Sequence, residues 1–94
     1  MNSIFKLNAI IAIIYTAFFV GISFLFNKDT QSIILEIIYP IVAGFHFIAM
    51  GILMAIYHFQ SSINKRNGYM ASFIFIWLLL LMVHYWGFYI SSHA

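Results

Sequence analysis

Three long apolar stretches separated by short polar segments set the pattern of this chain. The first runs from Leu7 to Phe26 without a charged side chain. At 1.5 Å per residue it reaches about 30 Å, the hydrocarbon thickness of a bilayer. The polar run Asn27-Lys28-Asp29-Thr30-Gln31-Ser32 follows, in which Ser32 or Thr30 is expected to cap a second helix by accepting from its free amides. That helix is predicted over 33–59, longer than a perpendicular crossing needs, with Pro40 in its first third removing a hydrogen bond and bending it. The segment Gln60 to Gly68 is polar again, and a third helix is predicted over 69–90. The pattern predicts an all-α integral membrane protein with transmembrane helices at about 7–26, 33–59 and 69–90, one three-helix unit over 1–94. Lys6 before an apolar run also fits a signal peptide, but the run is too long for one and no A-x-A site follows it.

Composition removes the soluble alternative. With 65% hydrophobic and 6% charged residues, a chain this small would expose large apolar patches in water. Four Lys/Arg against two Asp/Glu form no basic stripe, which argues against nucleic acid as a partner. The absence of cysteine excludes disulfides and thiolate-held metals within the chain, so metal chemistry would have to come from histidine.

Basic residues in short loops set orientation. Three spans put the N-terminus and the second loop on one face, which carries Lys6, Lys65 and Arg66; the other carries Lys28 beside Asp29. The expected topology is N-inside and C-outside. Tyr57 and Tyr69 would border the inner face, and Tyr85, Trp86 and Tyr89 the outer.

Candidate chemistry is sparse: no phosphate-binding glycine loop, no Ser-His-Asp set and no paired acids, so the chain is not expected to be catalytic on its own. Glu36 is placed in the first helical turn, where the helix dipole stabilises a carboxylate. His58 and His93 lie near polar ends and are expected to be solvated. His46 and His84 fall inside apolar runs, and ionisable groups there are functional candidates because burying them is costly. Counted from the inner loop, they lie at about 20 and 22 Å and are expected to be level on antiparallel helices. Matched depth, with Ala43, Ala49 and Gly87 beside them, permits a haem b held by both imidazoles, or by one of them and a ligand from another subunit. The alternative is that each imidazole hydrogen-bonds a neighbouring helix; a quinone contact is a third reading. On the opposite side of the second helix, Gly44, Gly51 and Ala55 form a stripe of small residues expected to pack against another helix.

Two resemblances follow from these residues. Lys6-Leu7-Asn8-Ala9-Ile10 resembles the Arg-x-Thr/Ser-Ala/Gly entry of the cytochrome b anchor subunit of succinate dehydrogenase, and His46-Phe47-Ile48-Ala49-Met50-Gly51 resembles its His-x-x-x-Gly segment. That resemblance implies a haem ligand at His46, with no counterpart for His84. Ile56-Tyr57-His58-Phe59 resembles the end of the second span in subunit IV of bacterial haem-copper oxidases, which implies a three-span assembly subunit without a cofactor. The expected function is an accessory or anchor subunit of a larger membrane-bound oxidoreductase, in a bacterial inner or mitochondrial inner membrane, with other membrane subunits and lipid as partners. It either contributes a haem ligand or serves assembly alone. A holin-like pore former is the competing class, and a small transporter subunit, with Thr16 and Ser72 as further path-lining candidates, is a third.

Overall fold

The computed structural model describes residues 2–60 and 62–92; His93 lies outside the described residues. Among the described residues three helices carry the regular structure: α1 Ser3–Ser23, α2 Lys28–Phe59 and α3 Ile63–Ser92. All three are long and apolar enough to cross a membrane. The bundle is 49 Å long and 18 by 16 Å in section, slightly longer than a bilayer of about 40–45 Å including headgroups.

Helix ends depart from the apolar borders because polar residues extend the helices. Asn27 caps α2, its Oδ1 accepting from the Thr30 amide at 2.9 Å, and Asp29 lies in the first turn, where the dipole favours it. The expected caps, Ser32 and Thr30, are instead helical residues, and the Ser32 hydroxyl donates to Glu36 Oε2 at 2.6 Å. Glu36 therefore stands more than two turns into α2, with a side-chain partner rather than the helix terminus. At the other connection, the Ser62 carbonyl accepts from the Arg66 amide at 2.9 Å, so α3 starts at Ile63, inside the segment expected to be a loop.

Pro40 is accommodated by a π turn. Residues Ile34–Ile38 are π-helical, the Tyr39 amide reaching back to the Ile34 carbonyl. The proline ring, which lacks an N–H and would crowd the carbonyl four residues earlier in a regular α-helix, enters just after this widened turn.

Contacts at both ends fix the topology. Asn2 Nδ2 donates to the Asn64 carbonyl at 2.9 Å, and Phe24 meets Trp86 with centroids 5.4 Å apart, so α1 runs parallel to α3. Helix α2 runs antiparallel to both, stacking Tyr57 on Tyr69 at 5.5 Å. Inward faces follow helical spacing. On α2, Leu35, Tyr39, Ala43 and Met50 are buried; on α3, Gly68, Ser72, Ile76, Val83 and Gly87 are.

Small residues on α3 set how closely the other helices approach. A Cβ on Gly87 would lie 2.9 Å from Glu36 Cγ and 3.2 Å from Leu35 Cβ, and one on Gly68 would lie 2.6 Å from Asn2 Oδ1 and 2.8 Å from Ile4 Cβ. Close backbone approach of this kind is how helices associate when apolar burial gives no preference over lipid.

Candidate functional site: a polar seam between α1 and α2

Helix α1 turns Asn8, Tyr15 and Thr16 toward α2, the last two lying seven and eight residues beyond the first and hence on one side of the helix. Across from them α2 presents Tyr39 and His46, also seven apart. Two hydrogen-bonded sets span the gap. Thr16 Oγ1 and the Tyr39 hydroxyl lie 2.8 Å apart. Seven residues further along α2, His46 is held at both ring nitrogens: Nε2 is 2.9 Å from Asn8 Oδ1, and Nδ1 is 2.9 Å from the Tyr15 hydroxyl.

Donors and acceptors in the second set fit in one way for a neutral imidazole. Asn8 Nδ2 donates to the Ile4 carbonyl at 2.9 Å, which orients Oδ1 toward the histidine as an acceptor. His46 Nε2 therefore carries the proton and donates, and Nδ1 accepts from Tyr15 O–H. The chain Tyr15 to His46 to Asn8 to the Ile4 carbonyl is thereby complementary at every step. The rings of Tyr15 and His46 also meet edge to face at 5.6 Å. Among the described residues, no buried side-chain nitrogen or oxygen lacks a partner.

His84 is placed differently. It is exposed on the outside of α3, in a shallow apolar depression with Leu81, Met82, Tyr85 and Phe88. The expectation that it lies level with His46 is not met. Gly87 sits beside Glu36 and Gly51 beside Phe73, which puts the stretch near Trp77 and Leu78 level with His46. His84 is six or seven residues further along, roughly 10 Å. The discrepancy arises because α3 begins at Ile63, well before the apolar border at Tyr69. The structure does not bring the two imidazoles together, and His46 could ligate a metal only by releasing Tyr15 or Asn8. Gly87, expected to make room beside His84, instead admits Glu36 and Leu35.

The small-residue stripe divides. Gly51 faces α3, where an added Cβ would lie 3.0 Å from the Phe73 ring. Nothing lies within 4 Å of the corresponding point on Gly44, which opens into an outward groove with Pro40, Ile41, Phe45 and Ile48. Ala55 is exposed in a second groove near the Arg66 turn. Ser72 is buried and donates to the Gly68 carbonyl at 2.7 Å; with Thr16 bonded to Tyr39, both hydroxyls proposed for a transport path serve the bundle itself. Comparison with protein families, with characterised proteins and with solved structures finds no match.

Asn8 and Tyr15 were the seam residues least visible in the sequence. The available signal was an asparagine near the start of the apolar first run and a Tyr-Thr pair about two turns beyond it. Such groups need partners in a membrane, and histidine on the next helix is the nearest chemical complement.

Proposed function

We propose that this chain is a small accessory or anchor subunit of a larger membrane-bound oxidoreductase of respiratory type, and that it acts by packing between other membrane subunits. The observation that carries this reading is the contrast between its two sides: interior polar groups are paired with one another, while the Gly44 groove is open and lined by small or apolar side chains. A helix from a neighbouring subunit would find a backbone there that it can approach closely. The oxidoreductase assignment rests on the resemblance of the His46–Gly51 and Ile56–Phe59 segments to subunits of respiratory complexes. Orientation is N-inside and C-outside, because Lys6, Lys65 and Arg66 gather at one end, and the resemblance to respiratory subunits implies a bacterial inner or mitochondrial inner membrane.

With both His46 nitrogens engaged, the form of this function without a haem on His46 is the better supported. A second reading keeps a single ligand. His84 is exposed, so a haem shared with another subunit would reach it without disturbing the seam. Purification from native membranes in a mild detergent, with subunit identification and a reduced-minus-oxidised spectrum, tests both. The proposal expects large redox subunits to accompany the chain, and a b-type band that survives His46→Leu. Loss of that band on His84→Ala would favour the second reading. Recovery of the chain only as a homo-oligomer that renders membranes leaky would favour a pore former.

A further inference from the structure

The end of the bundle that holds the α2–α3 connection carries a second feature, which the packing role does not use. The last turns of α2 and the first turns of α3 enclose a groove of about 370 Å³ with Met54, Ala55, Phe59 and Met70 along it and His58 and Arg66 at its polar end. Its floor is apolar and its mouth is cationic. The Arg66 guanidinium donates to His58 Nδ1 at 3.2 Å, an imidazole nitrogen and not a carboxylate, so this contact brings no negative charge to the arginine. Lys65 stands next to it in sequence, its ammonium 5.1 Å from the centre of the Tyr57 ring. The two acidic side chains of the protein, Asp29 and Glu36, belong to the early turns of α2 at the opposite end.

We propose that this groove binds an anionic phospholipid, with one acyl chain along Met54, Ala55, Phe59 and Met70 and the phosphate on Arg66. The pattern of charge decides the occupant. A protein helix laid in the groove would have to bring a carboxylate to Arg66 and match an apolar stripe; a phospholipid carries an acyl chain and a phosphate in one molecule, matching the apolar floor and the cationic mouth together. A planar guanidinium with several N–H donors binds phosphate oxygens in pairs, and a basic end of the bundle meets the anionic lipids of the cytoplasmic leaflet. Ala55 leaves room where a larger residue would fill the groove. The inference rests on the proposed membrane placement and N-inside orientation, and stands whichever complex the chain serves.

The test uses the full chain reconstituted in phosphatidylcholine vesicles with trace spin-labelled lipid, the motionally restricted fraction being read by electron paramagnetic resonance. Spin-labelled phosphatidylglycerol should associate several-fold more strongly than spin-labelled phosphatidylcholine. Arg66→Gln should bring that preference close to one, Arg66→Lys should keep part of it, and Lys28→Gln, at the other end, should leave it unchanged. Ala55→Leu removes no charge and should also lower it, by filling the groove. Circular dichroism should give equal helix content for all variants. Equal association of the two lipids with the wild-type chain, a preference that survives Ala55→Leu, or an equal fall with Lys28→Gln and Arg66→Gln would overturn the proposal. Release of the labelled lipid by millimolar inorganic phosphate would overturn it too, since the site would then be an anion site alone.

Discussion

The Tyr15 hydroxyl donates to His46 Nδ1 at 2.9 Å, and this contact joins the first helix to the second at a position where the histidine's other nitrogen already holds Asn8. An imidazole tied at both ends acts as a strut between helices. Removing it leaves an amide oxygen and a phenol without partners in the bundle. His46→Leu is therefore expected to destabilise the chain by about 1–3 kcal/mol, measured by thermal unfolding in detergent followed by circular dichroism. Combining it with Tyr15→Phe should cost clearly less than the two single losses together, because one contact is counted in both. Strict additivity would mean that the two residues do not interact.

Thr16 and Tyr39 form the neighbouring tie, at 2.8 Å, with the Tyr39 ring fully buried. Tyr39→Phe keeps the ring and removes only the hydroxyl, so a loss of about 0.6–1 kcal/mol is expected, as for other hydrogen bonds between membrane helices. Thr16→Val should cost a similar amount, and the double variant little more than either. A Tyr39→Phe variant as stable as the wild type would show that this bond adds nothing to helix association.

Glycines on the two sides of the bundle should respond oppositely to an added methyl group. Gly68→Ala drives a carbon into Asn2 Oδ1 and Ile4 Cβ at the start of α1, and about 1–3 kcal/mol of destabilisation is expected. Gly44→Ala meets no atom within 4 Å, and alanine's better helix propensity should leave the isolated chain as stable or up to about 1 kcal/mol more stable. Equal effects in detergent would contradict the packing described for the Asn2 end.

Single cysteines at Asn2 and Ser92 report the orientation. A membrane-impermeant thiol reagent applied to intact cells should label position 92 and spare position 2, because Lys6, Lys65 and Arg66 outnumber Lys28 across the bilayer. The reverse pattern would place the basic end outside, and would favour the pore-former reading.

Much of the fold was legible in hydropathy alone, since three apolar runs of sufficient length leave few other arrangements. Helix ends were not, because Lys28–Ser32 and Asn64–Asn67 are polar yet helical: a charged side chain at a membrane border marks where lipid ends and says little about where hydrogen bonding ends. That shift placed Ser32 beside Glu36 rather than at a cap, and carried His84 roughly 10 Å past His46. Pro40 announced an irregularity, and the π turn is the form it took. The hydrogen-bonding role of His46 was one of the readings open from sequence, whereas Asn8 entered only through the Lys6–Ile10 resemblance, with no partner assigned to it. Gly44, Gly51 and Ala55 read as one face, but the helices meet only at Gly51, because a helix in a three-membered bundle touches its neighbours over part of its circumference.

The claim that this chain works by packing against other subunits turns on the open groove at Gly44. Gly44→Leu should fill it without touching the interior, leaving thermal stability of the isolated chain within about 1 kcal/mol of wild type, and the direct measurement is which membrane subunits accompany each form through purification from native membranes. The account predicts that large partner subunits co-purify with the wild-type chain and are lost from a folded Gly44→Leu variant. Partners retained in full by the variant, or no large partner with the wild type, would contradict it.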